Sequence, residues 1–216
     1  MDNHTNANPF AAANDENERL ALEECAKRQR VDHRVSVLIL PAGRCGLAVQ
    51  FARLGASVTI GDVPAVQRES EGRILAFGLR DDIRFQPWEL TSPPDDAPGQ
   101  PYDIIVLRRG LCGLPYAQAR SVVRQLLLKL KIGGKLYISI LGLHSELGEG
   151  YPGGELPIEE RFAKLSPALA EKYGIERPVC LYTERNLFML LLEAGASVLR
   201  TLTTTYGNVK GVAVRV

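Results

Sequence analysis

The segment from residue 35 to residue 62, VSVLILPAGRCGLAVQFARLGASVTIGD, constrains the fold of this chain most strongly. An apolar run at 35–40 precedes a glycine-bearing turn, an amphipathic stretch that stops at Gly55, and a second apolar run that ends at Asp62. Continuous apolar, β-branched runs are typical of strands buried on both faces, and glycine commonly follows the last turn of a helix. The order strand, turn, helix, strand therefore predicts a βαβ unit in an α/β sheet.

The turn between the first strand and its helix predicts a nucleoside site. Gly43 and Gly46 carry no Cβ, so a ligand can approach the backbone closely at both positions. Asp62 follows the turn by about 20 residues, the spacing at which dinucleotide-type sites place the acid that binds a ribose. An ordinary βαβ unit without a ligand is the alternative interpretation.

Two later segments combine a strand pattern with a glycine-containing turn. They are YDIIVLRRGLCGLPY at 102–116 and LLLKLKIGGKLYIS at 126–139, where the double glycine is predicted to end a helix over 117–131 and to lead directly into a strand. With the 35–62 unit, they resemble motifs of the class I S-adenosylmethionine-dependent methyltransferases, whose fourth strand commonly reads F-D-x-V and whose fifth follows L-K-P-G-G-x-L. The resemblance covers residues 35–216. It implies an α/β, doubly wound, Rossmann-like fold with a seven-stranded sheet, mostly parallel but ending in an antiparallel hairpin.

The first motif of that family, a strand, an acidic residue and G-x-G-x-G, is only partly present. Its three glycine positions correspond to Pro41, Gly43 and Cys45, and its acidic position corresponds to Ile39. Gly43 alone matches, while Asp62 matches the ribose-binding acid of the family.

The resemblance implies S-adenosylmethionine as the cofactor. Glu89, after the third strand, is where an acid would accept a hydrogen bond from the adenine amino group. Trp88 beside it is expected either to stack on the base or to cover the sheet edge. The full set of expected cofactor-binding residues is Ala42, Gly43, Arg44, Asp62, Val63, Trp88, Glu89 and Leu107.

Three residues are candidates for catalysis, although no catalytic residue is assigned. His144 follows the fifth strand and has an intrinsic pKa suited to a general base; an exposed loop histidine is the alternative. Arg108 follows the fourth strand and can bind a carboxylate with two hydrogen bonds, or form a structural ion pair. Tyr151, with Tyr173 and Tyr182, either lines a substrate pocket or anchors the segment that contains it.

The chain is expected to form a flexible leader at 1–14 and a single domain at 15–216 that begins with a helix. The segment 142–181 interrupts the strand–helix alternation and contains a predicted helix at 158–173. Long insertions in compact domains are usually functional or disordered. We expect this one to act as a lid that covers a substrate, with a protein–protein contact surface as the alternative.

Composition narrows the classes of partner. The 26 basic and 25 acidic residues nearly balance, which argues against nucleic acid or an anionic membrane surface as a partner.

The four cysteines are widely spaced, which favours reduced thiols and argues against a zinc site, and no metal is expected. No apolar run reaches the length of a membrane span, and the N-terminus lacks the apolar core of a signal peptide, so a cytoplasmic location is expected. The predicted partner is a small-molecule substrate; a homo-oligomer is left open.

The leading hypothesis is a methyltransferase that uses S-adenosylmethionine and acts on a small molecule. One alternative is a non-catalytic binding or assembly module that kept the fold while its cofactor loop, with Ile39, Pro41 and Cys45, decayed. A further alternative is an NAD(P)-binding oxidoreductase, in which Pro41, Gly43 and Gly46 occupy the positions of the G-x-G-x-x-G fingerprint.

Overall fold

The computed structural model describes residues 15–31 and 34–216, so the predicted leader lies outside the described residues. The strands are Ser36–Leu40 (β1), Ser57–Asp62 (β2), Ile83–Pro87 (β3), Tyr102–Arg108 (β4), Leu130–Ile140 (β5), Ser197–Thr203 (β6) and Val209–Val214 (β7). The α-helices are Glu16–Gln29 (α1), Gly46–Arg53 (α2), Gln67–Ala76 (α3), Tyr116–Lys129 (α4), Pro167–Tyr173 (α5) and Glu184–Glu193 (α6). Short 3₁₀ turns occupy Pro64–Val66, Gly110–Gly113 and Glu146–Gly148.

The seven strands form one sheet in the order β3-β2-β1-β4-β5-β7-β6. Strands β1 to β5 are parallel to one another, whereas β7 is antiparallel to both β5 and β6. This arrangement confirms the α/β fold with an antiparallel C-terminal hairpin. A dinucleotide-binding fold instead places a parallel sixth strand beside the fifth, so the strand order argues against the oxidoreductase alternative.

Helices cover both faces of the sheet, and β1 shows why its sequence is apolar throughout. Leu38 and Leu40 pack in a cluster with α4 and α6, while Val37 and Ile39 pack on the opposite face with α1, α2 and α3. Successive side chains of a strand point to opposite faces, so a strand buried on both sides needs apolar residues at every position.

The predicted role of the double glycine was wrong. Helix α4 ends at Lys129, and Leu130 is already extended and pairs with Tyr102, so Gly133 and Gly134 lie inside β5. They occupy an irregularity in the pairing of β5 with β4, where Gly133 has a φ of +75°. A Cβ on Gly134 would lie 2.8 Å from the carbonyl oxygen of Lys131. Glycine is therefore needed for a close backbone approach within the strand.

The helix predicted for residues 158–173 was also wrong in its first half, because only Pro167–Tyr173 is helical. Pro167 occupies the beginning of α5, where its missing N–H costs nothing, whereas proline inside a helix would break it. The preceding residues instead form turns and a bridge between Ala163 and Val179. Thr183 caps the next helix, α6, since its side chain accepts a hydrogen bond from the backbone N–H of Asn186.

Candidate functional site

The candidate site lies at the carboxyl ends of β1, β2 and β4. Open α/β sheets bind ligands at this edge, at the point where the strand order reverses, which here is between β1 and β4. A cavity of about 240 Å³ opens there, between the turn after β1, the ends of β4 and β5, and the start of α1. Its lining includes Asp15, Glu18, Gly43, Leu107, Arg108 and Arg109.

The turn after β1 presents Gly43 to this cavity and turns Cys45 away from it. Both residues have a positive φ, +56° for Gly43 and +62° for Cys45. Cys45 is 1 % exposed and lies beside Ser70 of α3, and burial raises the pKa of its thiol. Arg73 of α3 donates to the carbonyl oxygen of Gly43 at 3.2 Å. Cys45, at a glycine position of the motif that the sequence resembles, therefore leaves the cavity open, because its side chain is held in the core.

Asp62 joins the end of β2 to the turn. Its Oδ2 accepts a hydrogen bond from the backbone N–H of Ala42 at 3.1 Å, and its Oδ1 accepts from Val63 at 2.8 Å. A carboxylate has about four acceptor positions, so each oxygen keeps one for a ligand hydroxyl. Asp62 can thus fix the turn and bind a ribose at the same time.

The structure places Trp88 in the core, where stacking on an adenine does not fit. Trp88 is 3 % exposed and packs beside Gly61, on which a Cβ would lie 2.9 Å from the Trp88 Cβ. The Nζ of Lys129 lies over the indole ring, 5.6 Å from its centroid. Its burial supports the other expectation for Trp88, that the side chain covers the edge of the sheet. Glu89 is exposed after β3, as an adenine-binding acid would have to be.

Arg108, a candidate from the sequence, forms an ion pair with a residue that the sequence did not reveal. Its Nε lies 2.9 Å from Oε1 of Glu18 in α1. Its Nη1 lies 3.5 Å from the position that a Cβ on Gly43 would take. Burial raises the pKa of Glu18, and the positive charge of Arg108 opposes that rise.

Helix α1 is fixed over the cavity by Asn17, another residue missed at the level of sequence. Asn17 is 3 % exposed, and its amide Nδ2 donates to the carbonyl oxygens of Ile138 at 2.8 Å and Gly211 at 3.2 Å. Asp15, which caps α1, also pairs with Lys210 of β7. A polar residue near the start of an amphipathic helix gives no sign of which strand it contacts.

A second cavity of about 400 Å³ adjoins the first, and Asp15, Arg109 and Ser139 line both. The β6–β7 turn forms much of its remaining wall, including Tyr206. Arg109 has a φ of +57°, and its backbone N–H donates to the carbonyl oxygen of Ser139 at 2.7 Å. Burial and the neighbouring Arg108 lower the pKa of its guanidinium. Residues in such sparsely populated backbone regions cluster at functional sites.

Comparison with known proteins gives matches among solved structures, whereas no family model and no curated protein matches the chain. An S-adenosylmethionine-dependent methyltransferase from Methanosarcina mazei is 20% identical, with a TM-score of 0.66 over 87% of this chain and 95% of its own. Human N-acetylserotonin methyltransferase in complex with SAM is 18% identical, with a TM-score of 0.61 over 92% of this chain and 51% of its own. The [4+2]-cyclase SpnF is 19% identical, with a TM-score of 0.60 over 88% of this chain and 60% of its own.

These neighbours have the same architecture as the sheet described above. The chain has the class I methyltransferase fold. It spans about half the length of several of the neighbours, for example 55% of the methyltransferase SibL. At these identities the likeness establishes the fold, and the chemistry has to be argued from the site itself.

Within this methyltransferase fold, the other candidate residues lie away from the two cavities. Tyr151 is buried, and its hydroxyl donates to the carbonyl oxygen of Val179 at 2.6 Å, which makes it an anchor of the 142–181 segment. Tyr182 is buried too, and His144 is exposed. In the part of the chain that the structure describes, no residue of 142–181 lines either cavity. The lid function of this segment stays a prediction.

Arg44 and Val63, two of the expected cofactor contacts, are exposed at the rim of the turn. Across residues 15–31 and 34–216, no group of three or more histidine, cysteine or acidic side chains is placed to hold a metal ion. None of the described helices is long and apolar enough to cross a membrane.

Proposed function

We propose that this chain is an S-adenosylmethionine-dependent methyltransferase that acts on a small molecule. One observation carries the proposal: a cavity at the carboxyl edge of a methyltransferase-type sheet lies against Gly43, with the Asp62 carboxylate at the end of the neighbouring strand. The cysteine that replaces a family glycine is directed into the core, so the cleft is still present.

The residues present fit the cofactor. A Cβ on Gly43 would project towards Arg108 and reduce the space beside the turn. Asp62 would bind the ribose hydroxyls, Glu89 the adenine amino group, and Ala42, Arg44, Val63 and Leu107 would surround the nucleoside. Bound there, the cofactor would supply a methyl group that its sulfonium already activates.

The second cavity is the natural position for the methyl acceptor, because it shares a wall with the first. Its lining combines two carboxylates, Asp15 and Glu16, with two cations, Arg109 and Lys210. This balance of negative and positive charges suits a small polar molecule better than a polyanion. Alignment of acceptor and methyl group in an enclosed site accounts for much of the catalysis in such reactions, so no fixed general base is assigned.

The non-catalytic alternative is supported by the size of the first cavity. At about 240 Å³ it lies below the range of roughly 300–1,000 Å³ that is usual for ligand pockets. The start of α1 and Arg108 form part of its wall. A module that uses this fold only for binding or assembly would have no need to keep the cleft open.

Binding of S-adenosylhomocysteine separates the two functions. We expect calorimetry to detect binding, and thermal unfolding to shift upward, because a ligand present at 100 times its dissociation constant stabilises the folded state by about 2.7 kcal/mol. Absence of both heat and thermal shift at millimolar ligand would support the non-catalytic module.

Replacing Asp62 with alanine should weaken S-adenosylhomocysteine binding by about 1.5–3 kcal/mol, because a charged acceptor of two ribose hydrogen bonds is lost. The free energy of unfolding should fall by only about 0.5–1.5 kcal/mol, since the bond to the Ala42 N–H is lost as well. Calorimetry and urea unfolding measure the two effects. Asp81→Ala, an exposed acid at the opposite edge of the sheet, is the control. Equal affinity in both variants would exclude Asp62 from the site.

A further inference from the structure

The cavity beside Gly43 contains an acid and a base that are already in contact. Nε of Arg108 lies 2.9 Å from Oε1 of Glu18 in an ion pair, and the side chains are 36% and 13% exposed. The guanidinium has five N–H donors, so the ion pair leaves donors available to a ligand. The Nη1 atom lies beside the Gly43 surface, 3.5 Å from where a Cβ would be. The pair therefore presents both a cationic and an anionic group to a ligand lying on Gly43.

Glu18 is the carboxylate that faces this ligand space. Asp15 lines the same cavity, but its Oδ1 accepts a hydrogen bond from the backbone N–H of Asn17 and pairs with Lys210. Ile39, at the end of β1, is 1 % exposed and contributes no acid. The two hydrogen bonds from the Asn17 amide to strand carbonyls hold the first turn of α1 on the sheet, and so fix the position of Glu18.

We propose that Glu18 and Arg108 together bind the α-amino-acid end of the cofactor, Glu18 its ammonium group and Arg108 its carboxylate. This assignment rests on the proposed function. An α-amino acid carries both charges close together, and the ion pair offers the complementary charges at a similar separation. Hydrogen bonds between ionised groups are short and strong when they are partly shielded from water. The N-terminal helix thus supplies an acid that the first strand lacks, and selects nucleosides that carry an amino-acid group.

Two ligands that differ only in this group test the assignment. S-adenosylhomocysteine has the amino-acid end, whereas 5′-methylthioadenosine keeps the adenosine and the thioether without it. Titrated into the full chain, the first should bind about tenfold more tightly or better. In Glu18→Gln, which keeps the shape of the side chain, affinity for S-adenosylhomocysteine should fall about tenfold or more, while that for 5′-methylthioadenosine should change less than about twofold.

A matched control and a second variant accompany Glu18→Gln. Glu23 lies on the same helix and pairs with the exposed Arg19, so Glu23→Gln should leave both affinities unchanged. Arg108→Gln changes a half-exposed side chain, which keeps the experiment decisive if Glu18→Gln does not fold. It should show the same selective loss of S-adenosylhomocysteine binding.

Three outcomes would overturn the assignment. Equal loss of both ligands in Glu18→Gln and Arg108→Gln would mean that the ion pair only orders the cleft. Equal affinity of the wild-type chain for both ligands, or unchanged S-adenosylhomocysteine affinity in the variants, would remove the amino-acid end from this pair while leaving nucleoside binding intact. Binding of neither ligand by the wild-type chain would instead remove the proposed function, and this assignment with it.

Discussion

Replacing Arg161 with methionine should lower the free energy of unfolding by about 3–5 kcal/mol. Arg161 is 8 % exposed, and its guanidinium donates to Gly153 O at 3.1 Å, Leu156 O at 2.8 Å, Leu181 O at 3.2 Å and Asn186 Oδ1 at 3.1 Å. These acceptors lie at separate places along the 142–181 segment and in α6. Loss of the guanidinium removes this donor from the carbonyl oxygens of Leu156 and Leu181 in the interior, which costs more than the bonds themselves contribute. Gly153 O keeps the N–H of Leu156, and Asn186 Oδ1 keeps the N–H of Thr183. Urea unfolding of the two proteins measures the change.

Arg177→Met is the matched control, because Arg177 belongs to the same segment but is exposed, and surface changes usually alter stability by less than about 0.5 kcal/mol. A loss below about 1 kcal/mol for Arg161→Met would show that water replaces the guanidinium and that the segment is not fixed by it.

Arg161→Met also tests whether the 142–181 segment acts as a lid. If the segment closes over bound ligand, Arg161→Met should weaken the binding of S-adenosylhomocysteine. If the segment is a passive insertion, the affinity should be unchanged.

The sheet was predictable because its signal is local. Strands β1 and β4 are buried on both faces, and the apolar runs at 35–40 and 104–107 report this directly. The cap at Thr183 is local as well, since donor and acceptor lie within one helical turn. The double glycine was misread because the apolar pattern of α4 continues into β5. Only the contact of Gly134 with the backbone of its own strand and of β4 shows what that glycine does.

Within the candidate site, sequence could predict which residues lie close together only inside one continuous stretch of chain. Gly43 and Asp62 belong to the same βαβ unit, so their spacing gave both residues together. The pairing of Glu18 with Arg108 joins residues far apart in the sequence. It depends on how α1 crosses the sheet, which the buried amide of Asn17 decides. The burial of Trp88 likewise follows from tertiary packing that a residue's position after a strand does not reveal.

Gly142→Ala should have the largest effect on folding, a loss of at least about 4 kcal/mol or no recovery of folded protein. A Cβ at this position would lie 1.6 Å from the carbonyl oxygen of Gly207 and 2.8 Å from its carbonyl carbon. Backbone atoms cannot move aside by changing a rotamer, so the β6–β7 turn would have to separate from the end of β5. Circular dichroism and thermal unfolding of the purified variant measure the loss.

Gly113→Ala is the control, because no atom lies within 4 Å of a Cβ built at that position, and its φ is not in the positive region. Its stability should be unchanged or higher by up to about 1 kcal/mol, since alanine restricts the unfolded chain. The comparison bears on the second cavity, because Gly207 lies between Tyr206 and Asn208, two of its lining residues. A fully stable Gly142→Ala would mean that the β6–β7 turn shifts easily, and the acceptor cavity would then lack the fixed wall that alignment of a methyl acceptor requires.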